Sequence, residues 1–139
     1  MSRTIPLTRP DVDLEELKAV QTVFQSGMLA EGEVCSEFER KFAAYIGCRH
    51  AIATSSGSAA LHLAVAALDI GNGDEVIVPD FNHPAAPNAV LITGATPVLA
   101  DIDPRTFNIN PRCIPALVSD KTRAIIVVHQ FGLSADLKP

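Results

Sequence analysis

Two short segments of the 139-residue chain carry residue types that could hold a small ligand. The first is Thr54-Ser-Ser-Gly-Ser-Ala-Ala-Leu61, a run of small residues between an apolar stretch and an Ala/Leu-rich one. If a strand ends there and a helix begins, the N–H groups of Gly57, Ser58 and Ala59 lie free at the helix start. Free N–H groups at a helix N-terminus favour an anion. The hydroxyls of Ser55, Ser56 and Ser58 would add donors, and Gly57 lets another group come close to the backbone. Such a turn suits a phosphate monoester. An ordinary serine N-cap has the same sequence, and the residues alone leave both readings open.

The second segment is Pro79-Asp-Phe-Asn-His-Pro-Ala-Ala-Pro-Asn88. It follows an apolar run that reads as a strand, and open α/β sheets place their ligands at the carboxyl ends of strands. His83 precedes Pro84 and lies among prolines, so its backbone is restricted. Its flat ring could stack on a planar group, or it could be a surface histidine with no ligand at all. His50 and His62 read as structural, and His129, closing a later apolar run, fits either role.

Other chemistries lack their residues. The sequence has no Gly-x-Ser-x-Gly elbow, no Walker A loop and no His-Glu-x-x-His zinc pair. Gly71-Asn-Gly73 precedes a strand, whereas a dinucleotide fingerprint follows one. Cys35, Cys48 and Cys113 are odd in number and form no Cys-x-x-Cys, so they suggest neither a disulfide framework nor a zinc site. No metal site is expected, and a reducing cytoplasm is the simplest compartment.

Behind these segments stands an alternation of elements. Asp13 caps a first helix with Glu16 as its capping-box partner; Leu14, Leu17, Val20 and Phe24 recur at helical spacing, and Gly27 ends it. A second amphipathic helix carries Val34, Phe38, Phe42, Tyr45 and Ile46 and ends at Gly47. After that the pattern predicts strands over 51–54, 75–79, 97–102 and 123–129. It predicts helices over 59–68, from 84 or 85 to 93, and over 111–118. Continuous apolar strands between helices indicate a parallel sheet covered on both faces, hence the α/β class. Residues 1–50 form an extended segment and two helices; residues 51–139 form βαβ units. The chain stops in what reads as the loop after a strand, so the expectation is of an incomplete domain.

Composition agrees with this class. The chain is 47% hydrophobic and 19% charged, which suits a packed core and not a disordered chain. The net charge is -5, with no Lys/Arg cluster, so general nucleic-acid binding has no electrostatic footprint. The uncharged stretch 81–100 contains three prolines, a glycine and two asparagines and reads as soluble structure, so no membrane partner is expected.

Seven segments in order extend these readings: Ile5-Pro-Leu-Thr-Arg-Pro10, Gln25-Ser-Gly-Met-Leu29, Phe38-Glu-Arg-Lys-Phe42 with Tyr45-Ile-Gly47, Ser55-Ser-Gly-Ser-Ala-Ala-Leu61, Gly73-Asp-Glu-Val-Ile77, Asp101-Ile-Asp-Pro104 and Val128-His-Gln-Phe-Gly132. In their order and spacing the chain resembles the N-terminal portion of the DegT/DnrJ/EryC1/StrS-type sugar aminotransferases, which depend on pyridoxal 5'-phosphate. The resemblance implies the large domain of aminotransferase fold type I, a mostly parallel sheet with flanking helices. It also implies a homodimer with the cofactor at its interface, and in it the strands over 75–79, 97–102 and 123–129 sit together. Its Ser-Gly-Thr turn maps onto Ser56-Gly-Ser58, making Gly57 and Ser58 the contacts to the cofactor phosphate. His83 maps onto the flat residue that stacks on the pyridine ring. Met28 falls where the family often has an aromatic near the substrate.

The implied substrates are a nucleotide-linked keto-sugar and an amino donor, glutamate. The acidic partner of the pyridine nitrogen and the lysine that bonds to the cofactor match nothing in this sequence. Lys18, Lys41, Lys121 and Lys138 fit neither role, so no catalytic residue is assigned and the 139 residues alone are expected to be inactive. A dehydratase branch of the same family, and a non-catalytic remnant that binds a partner chain or a phosphate ligand, remain alternatives.

Overall fold

The computed structural model describes residues 5, 6 and 8–137. Leu7 of the first family-like segment and Lys138 lie outside the described residues. The chain divides into two compact units, Met1–Ala53 and Thr54–Pro139.

The first unit holds two helices, both closed by local hydrogen bonds. In α1 (Leu14–Ser26) the Asp13 carboxylate accepts the Glu15 N–H at 2.7 Å, while the Asp13 N–H donates to Glu16 Oε2 at 2.8 Å, the reciprocal cap that the sequence predicts. Gly27 ends α1 at φ 71°, a conformation that costs a glycine no Cβ clash. Helix α2 (Glu33–Ile46) ends in the same way at Gly47. Leu14, Leu17, Val20 and Phe24 of α1 are exposed, as are Phe38, Phe42 and Tyr45 of α2; Val23 is half-buried and Ala43 buried.

Residues 51–54 are not a strand, which corrects the expectation. A strand exists only where a neighbour takes its N–H and C=O groups. Here the Ala53 N–H is taken instead by the Glu39 carboxylate of α2, at 2.8 Å.

The second unit runs α3 (Gly57–Ala66), β1 (Glu75–Pro79), α4 (Ala85–Ile92), β2 (Thr96–Ala100), α5 (Ile114–Leu117) and β3 (Thr122–Ile125). The three strands form one parallel sheet in the order β2-β1-β3, the grouping that the resemblance implies. Alternate side chains of the central strand serve opposite faces. Val76 and Val78 pack with Val65 of α3, Val90 of α4, Ile70 and Ala95. Ile77 packs with Ala100 and Ile109, against Ile114 and Leu117. All three β1 residues are fully buried, as expected of a central strand in a covered parallel sheet.

Several boundaries differ from the sequence pattern, each for a physical reason. Strand β3 ends at Ile125 and does not reach His129. The Ile126 N–H still donates to the Ile77 carbonyl at 2.8 Å, but the next ladder donor on β1 would be Pro79, which has no N–H. Strand β2 stops at Ala100, and Ile102 bridges antiparallel to Ile109. The predicted helix over 111–118 is a 3₁₀ turn (Pro111–Cys113) followed by α5. Pro115 cannot donate to the Pro111 carbonyl, so Ile114 does so three residues on. Helix α3 starts two residues earlier than predicted, and a short 3₁₀ turn, Gln130–Gly132, interrupts the irregular end. No helix among the described residues is long and apolar enough to cross a membrane.

Candidate functional site

The two segments singled out by residue type both belong to the second unit. Residues 67–74 lead from α3 into β1, and α4 begins just beyond the carboxyl end of β1. Helices α3 and α4 pack against each other.

At the start of α3 the hydrogen bonds divide the small residues into two sets. Ser56 is the N-cap, with extended backbone, and its Oγ accepts the Ala59 N–H at 3.1 Å. Its carbonyl accepts the Ala60 N–H at 3.0 Å and the Thr54 hydroxyl at 3.0 Å. The Ala59 N–H is therefore used internally, which corrects the expectation of three free donors. The N–H groups of Gly57 and Ser58 have no partner among the described residues, and neither have the hydroxyls of Ser55 and Ser58. A Cβ built on Gly57 would meet no atom within 4 Å. The absent side chain thus leaves open space beside two unpaired donors at the positive end of a helix.

At the end of β1 the chain turns through Asp80, Phe81 and Asn82 to His83. The Asp80 N–H donates to the Ala100 carbonyl at 3.0 Å, and the Asn82 amide donates to the Pro79 carbonyl. His83 is exposed, and its Nδ1 accepts the Ala85 N–H at 3.2 Å. This bond makes Nδ1 the acceptor and leaves Nε2 as the donor of the neutral ring. The histidine thus acts as a side-chain cap for α4, whose residue Pro84 supplies none.

Met28 lies in the first unit, exposed, with its N–H on the Ser26 hydroxyl at 3.2 Å. It lines an apolar cavity of about 460 Å³ with Val23, Leu29 and Val34.

The sequence reading missed a cluster on the loops that follow the three strands. Phe81, Phe107 and Phe131 bring their rings together at centroid distances of 5.4, 6.5 and 6.4 Å. Phe107 and Phe131 have φ 59° and 53°, where bulky side chains are strained by about 1–3 kcal/mol each. The buried Asn108 amide ties down the segment around Phe131, where Oδ1 accepts the Gln130 N–H at 2.8 Å and Nδ2 donates to the Leu133 carbonyl at 3.1 Å, while the Phe107 N–H donates to the Asp103 carbonyl at 2.8 Å. His129, open to two readings in the sequence, accepts the Ala135 N–H on Nδ1 at 3.0 Å.

Displaced titrations lie away from the two segments. The Arg105 guanidinium hydrogen-bonds Asp103 and holds that carboxyl below its ordinary range, and Lys41 does the same for Glu37. Among the described residues no group of three or more His, Cys, Asp or Glu could hold a metal ion.

Known proteins are similar to this chain in sequence and in fold. The model of the DegT/DnrJ/EryC1/StrS aminotransferase family matches residues 10–139. The spore coat polysaccharide biosynthesis protein SpsC of Bacillus subtilis (strain 168) is 42% identical over 133 residues, which are 96% of this chain and 34% of that protein. The PLP-form structure of a sugar aminotransferase, Spr1654 of Streptococcus pneumoniae, superposes with a TM-score of 0.92 at 33% identity, covering 96% of this chain and 34% of that one. An aminotransferase structure from Psychrobacter cryohalolentis gives 0.86 at 40% identity, covering 93% and 33%. The chain thus spans about a third of the length of these relatives.

Proposed function

This chain belongs to the DegT/DnrJ/EryC1/StrS aminotransferase family, and on that premise we propose that it supplies the phosphate cup and the ring-stacking wall of an aminotransferase that uses pyridoxal 5'-phosphate. The observation that carries the reading is the start of α3. Two unpaired N–H groups, two unpaired hydroxyls and an open glycine face lie at one helix end. A phosphate monoester there gains charge-assisted hydrogen bonds and the helix dipole. The planar ring of the cofactor fits the exposed His83 ring, whose attitude the Ala85 N–H fixes. The cofactor, when bound, carries the amino group between substrates and withdraws electrons from the carbon that loses its proton.

In this reading Gly57 and Ser58 donate to the phosphate and fix the position of the cofactor. Gly57 does so with its N–H, and Ser58 with N–H and hydroxyl. His83 covers one face of the ring and excludes water from it. The substrate is a nucleotide-linked keto-sugar, the amino donor is glutamate, and the complete protein is a cytoplasmic homodimer. SpsC, a polysaccharide biosynthesis protein, supports the sugar part of this proposal, and the PLP form of Spr1654 supports the cofactor.

The test uses the complete protein with pyridoxal phosphate, glutamate and a panel of nucleotide-linked keto-sugars. The expected result is 2-oxoglutarate and an amino-sugar nucleotide in equal amounts. Dehydration of the sugar without amino transfer, or no turnover of any keto-sugar, would reject the reaction assigned here.

A further inference from the structure

We propose that Asn82 is a positioning residue that sets the attitude of the His83 ring, an inference that rests on the reading of His83 as the stacking residue. The argument begins at Pro79, the last residue of the central strand. In a parallel ladder the N–H and C=O of alternate residues on one strand serve the same neighbour. On β1 the residues facing β3 are Glu75, Ile77 and Pro79: the Glu75 N–H donates to the Lys121 carbonyl, and the Ile77 carbonyl accepts the Ile126 N–H. Pro79 has no N–H to continue this edge. Its carbonyl would take a donor from residue 128, which lies beyond the end of β3.

The Asn82 side chain supplies a donor to that carbonyl from three residues further along the same chain. Meanwhile the Asp80 N–H stays on β2, at the Ala100 carbonyl. The segment is therefore tied on its β2 side by its backbone and on its β3 side by a side chain. His83 follows directly, and its ring is held from the other direction by the Ala85 N–H. Asn82 fixes the entry of this loop, and the start of α4 fixes its exit. Without the amide donor the Pro79 carbonyl, at a buried residue, loses its bond and the loop loses its tie to the sheet.

The test compares Asn82→Asp, His83→Ala and the double variant in the complete protein. Aspartate keeps the shape of asparagine and removes the donor. The readouts are the dissociation constant of pyridoxal 5'-phosphate, the circular dichroism of the bound cofactor, which reports ring orientation, and the melting temperature without cofactor. His83→Ala should weaken binding by about threefold to tenfold, the worth of one stacked ring. Asn82→Asp should weaken binding within that range and change the cofactor's dichroism, and in the His83→Ala background it should have no further effect. If Asn82→Asp does not fold, Asn82→Ala takes its place with the same expectation.

Unchanged affinity and dichroism in the Asn82 variant, with His83→Ala weakened, would overturn the positioning role and leave the stacking reading intact. Equal effects of the Asn82 variant with and without His83 would overturn it too. Unchanged affinity in His83→Ala would instead reject the stacking reading on which the inference rests.

Discussion

Replacing His83 by asparagine and, separately, by phenylalanine divides its two structural roles. The imidazole accepts the Ala85 N–H on Nδ1 at 3.2 Å and presents an exposed ring. Asparagine offers an oxygen at the same distance along the side chain, so it keeps the cap on α4 and removes the ring. Phenylalanine keeps a ring and removes the acceptor. A stacked aromatic pair is worth roughly 0.5–1.5 kcal/mol beyond its area, a factor of about three to ten in affinity. A lost helix cap costs about 1 kcal/mol of stability, and α4 has no other side-chain cap at its start. His83→Asn should therefore weaken pyridoxal phosphate binding by about threefold to tenfold at nearly unchanged stability. His83→Phe should keep or raise the affinity and lower the stability by about 1 kcal/mol. Calorimetric titration of the complete protein measures the first quantity and urea unfolding of the cofactor-free form the second. Retained affinity in the asparagine variant, with loss in the phenylalanine variant, would refute the reasoning. The residue would then matter for α4 and not for a ring.

Gly57→Ala should leave the fold intact or stabilise it by about 0.4–1 kcal/mol through the unfolded state, since its Cβ meets no atom within 4 Å; the same methyl should obstruct the phosphate, so melting and cofactor titration should move in opposite directions. Asn108→Ala removes the bonds that the buried amide makes to Gln130 and Leu133; Gln130 is half-buried and Leu133 exposed, so chemical denaturation should show a loss of about 0.5–1.5 kcal/mol for each bond removed. Arg105→Ala should move the Asp103 carboxyl upward but only part of the way to its ordinary range, because the guanidinium is the largest cause of the lowering while the backbone N–H groups of residues 105 and 106 remain. The folded-state value is depressed, so the stability this pair contributes is present above the unfolded value and lost as pH falls through the folded one. Carbon-detected titration of Asp103 checks the shift, and an unmoved carboxyl would refute the cause.

The features legible in the residues are those whose hydrogen bonds close within a few positions. Asp13 and Glu16 cap α1 from two and three residues away, and Gly27 and Gly47 end their helices without help from elsewhere. The covered parallel sheet was also readable, because Val76, Ile77 and Val78 are apolar on both faces and no half-solvated strand would be. The glycine-serine turn and the proline-bounded histidine could be picked out by residue type, since each shapes its own backbone.

The remaining features depended on partners distant in sequence. Residues 51–54 have strand composition, yet the Glu39 carboxylate, 14 residues away from Ala53, takes the N–H that a ladder would need. The length of β3 was set by the missing N–H of Pro79 on the strand beside it. Nothing local marks Asn108 as the clamp that holds Gln130 and Leu133, 22 and 25 residues away, or marks Phe107 and Phe131 for left-handed backbone. A side chain's own backbone preference is written in its residue type. Which donor reaches which acceptor across the sheet is decided only when the strands have packed and the buried groups must find partners.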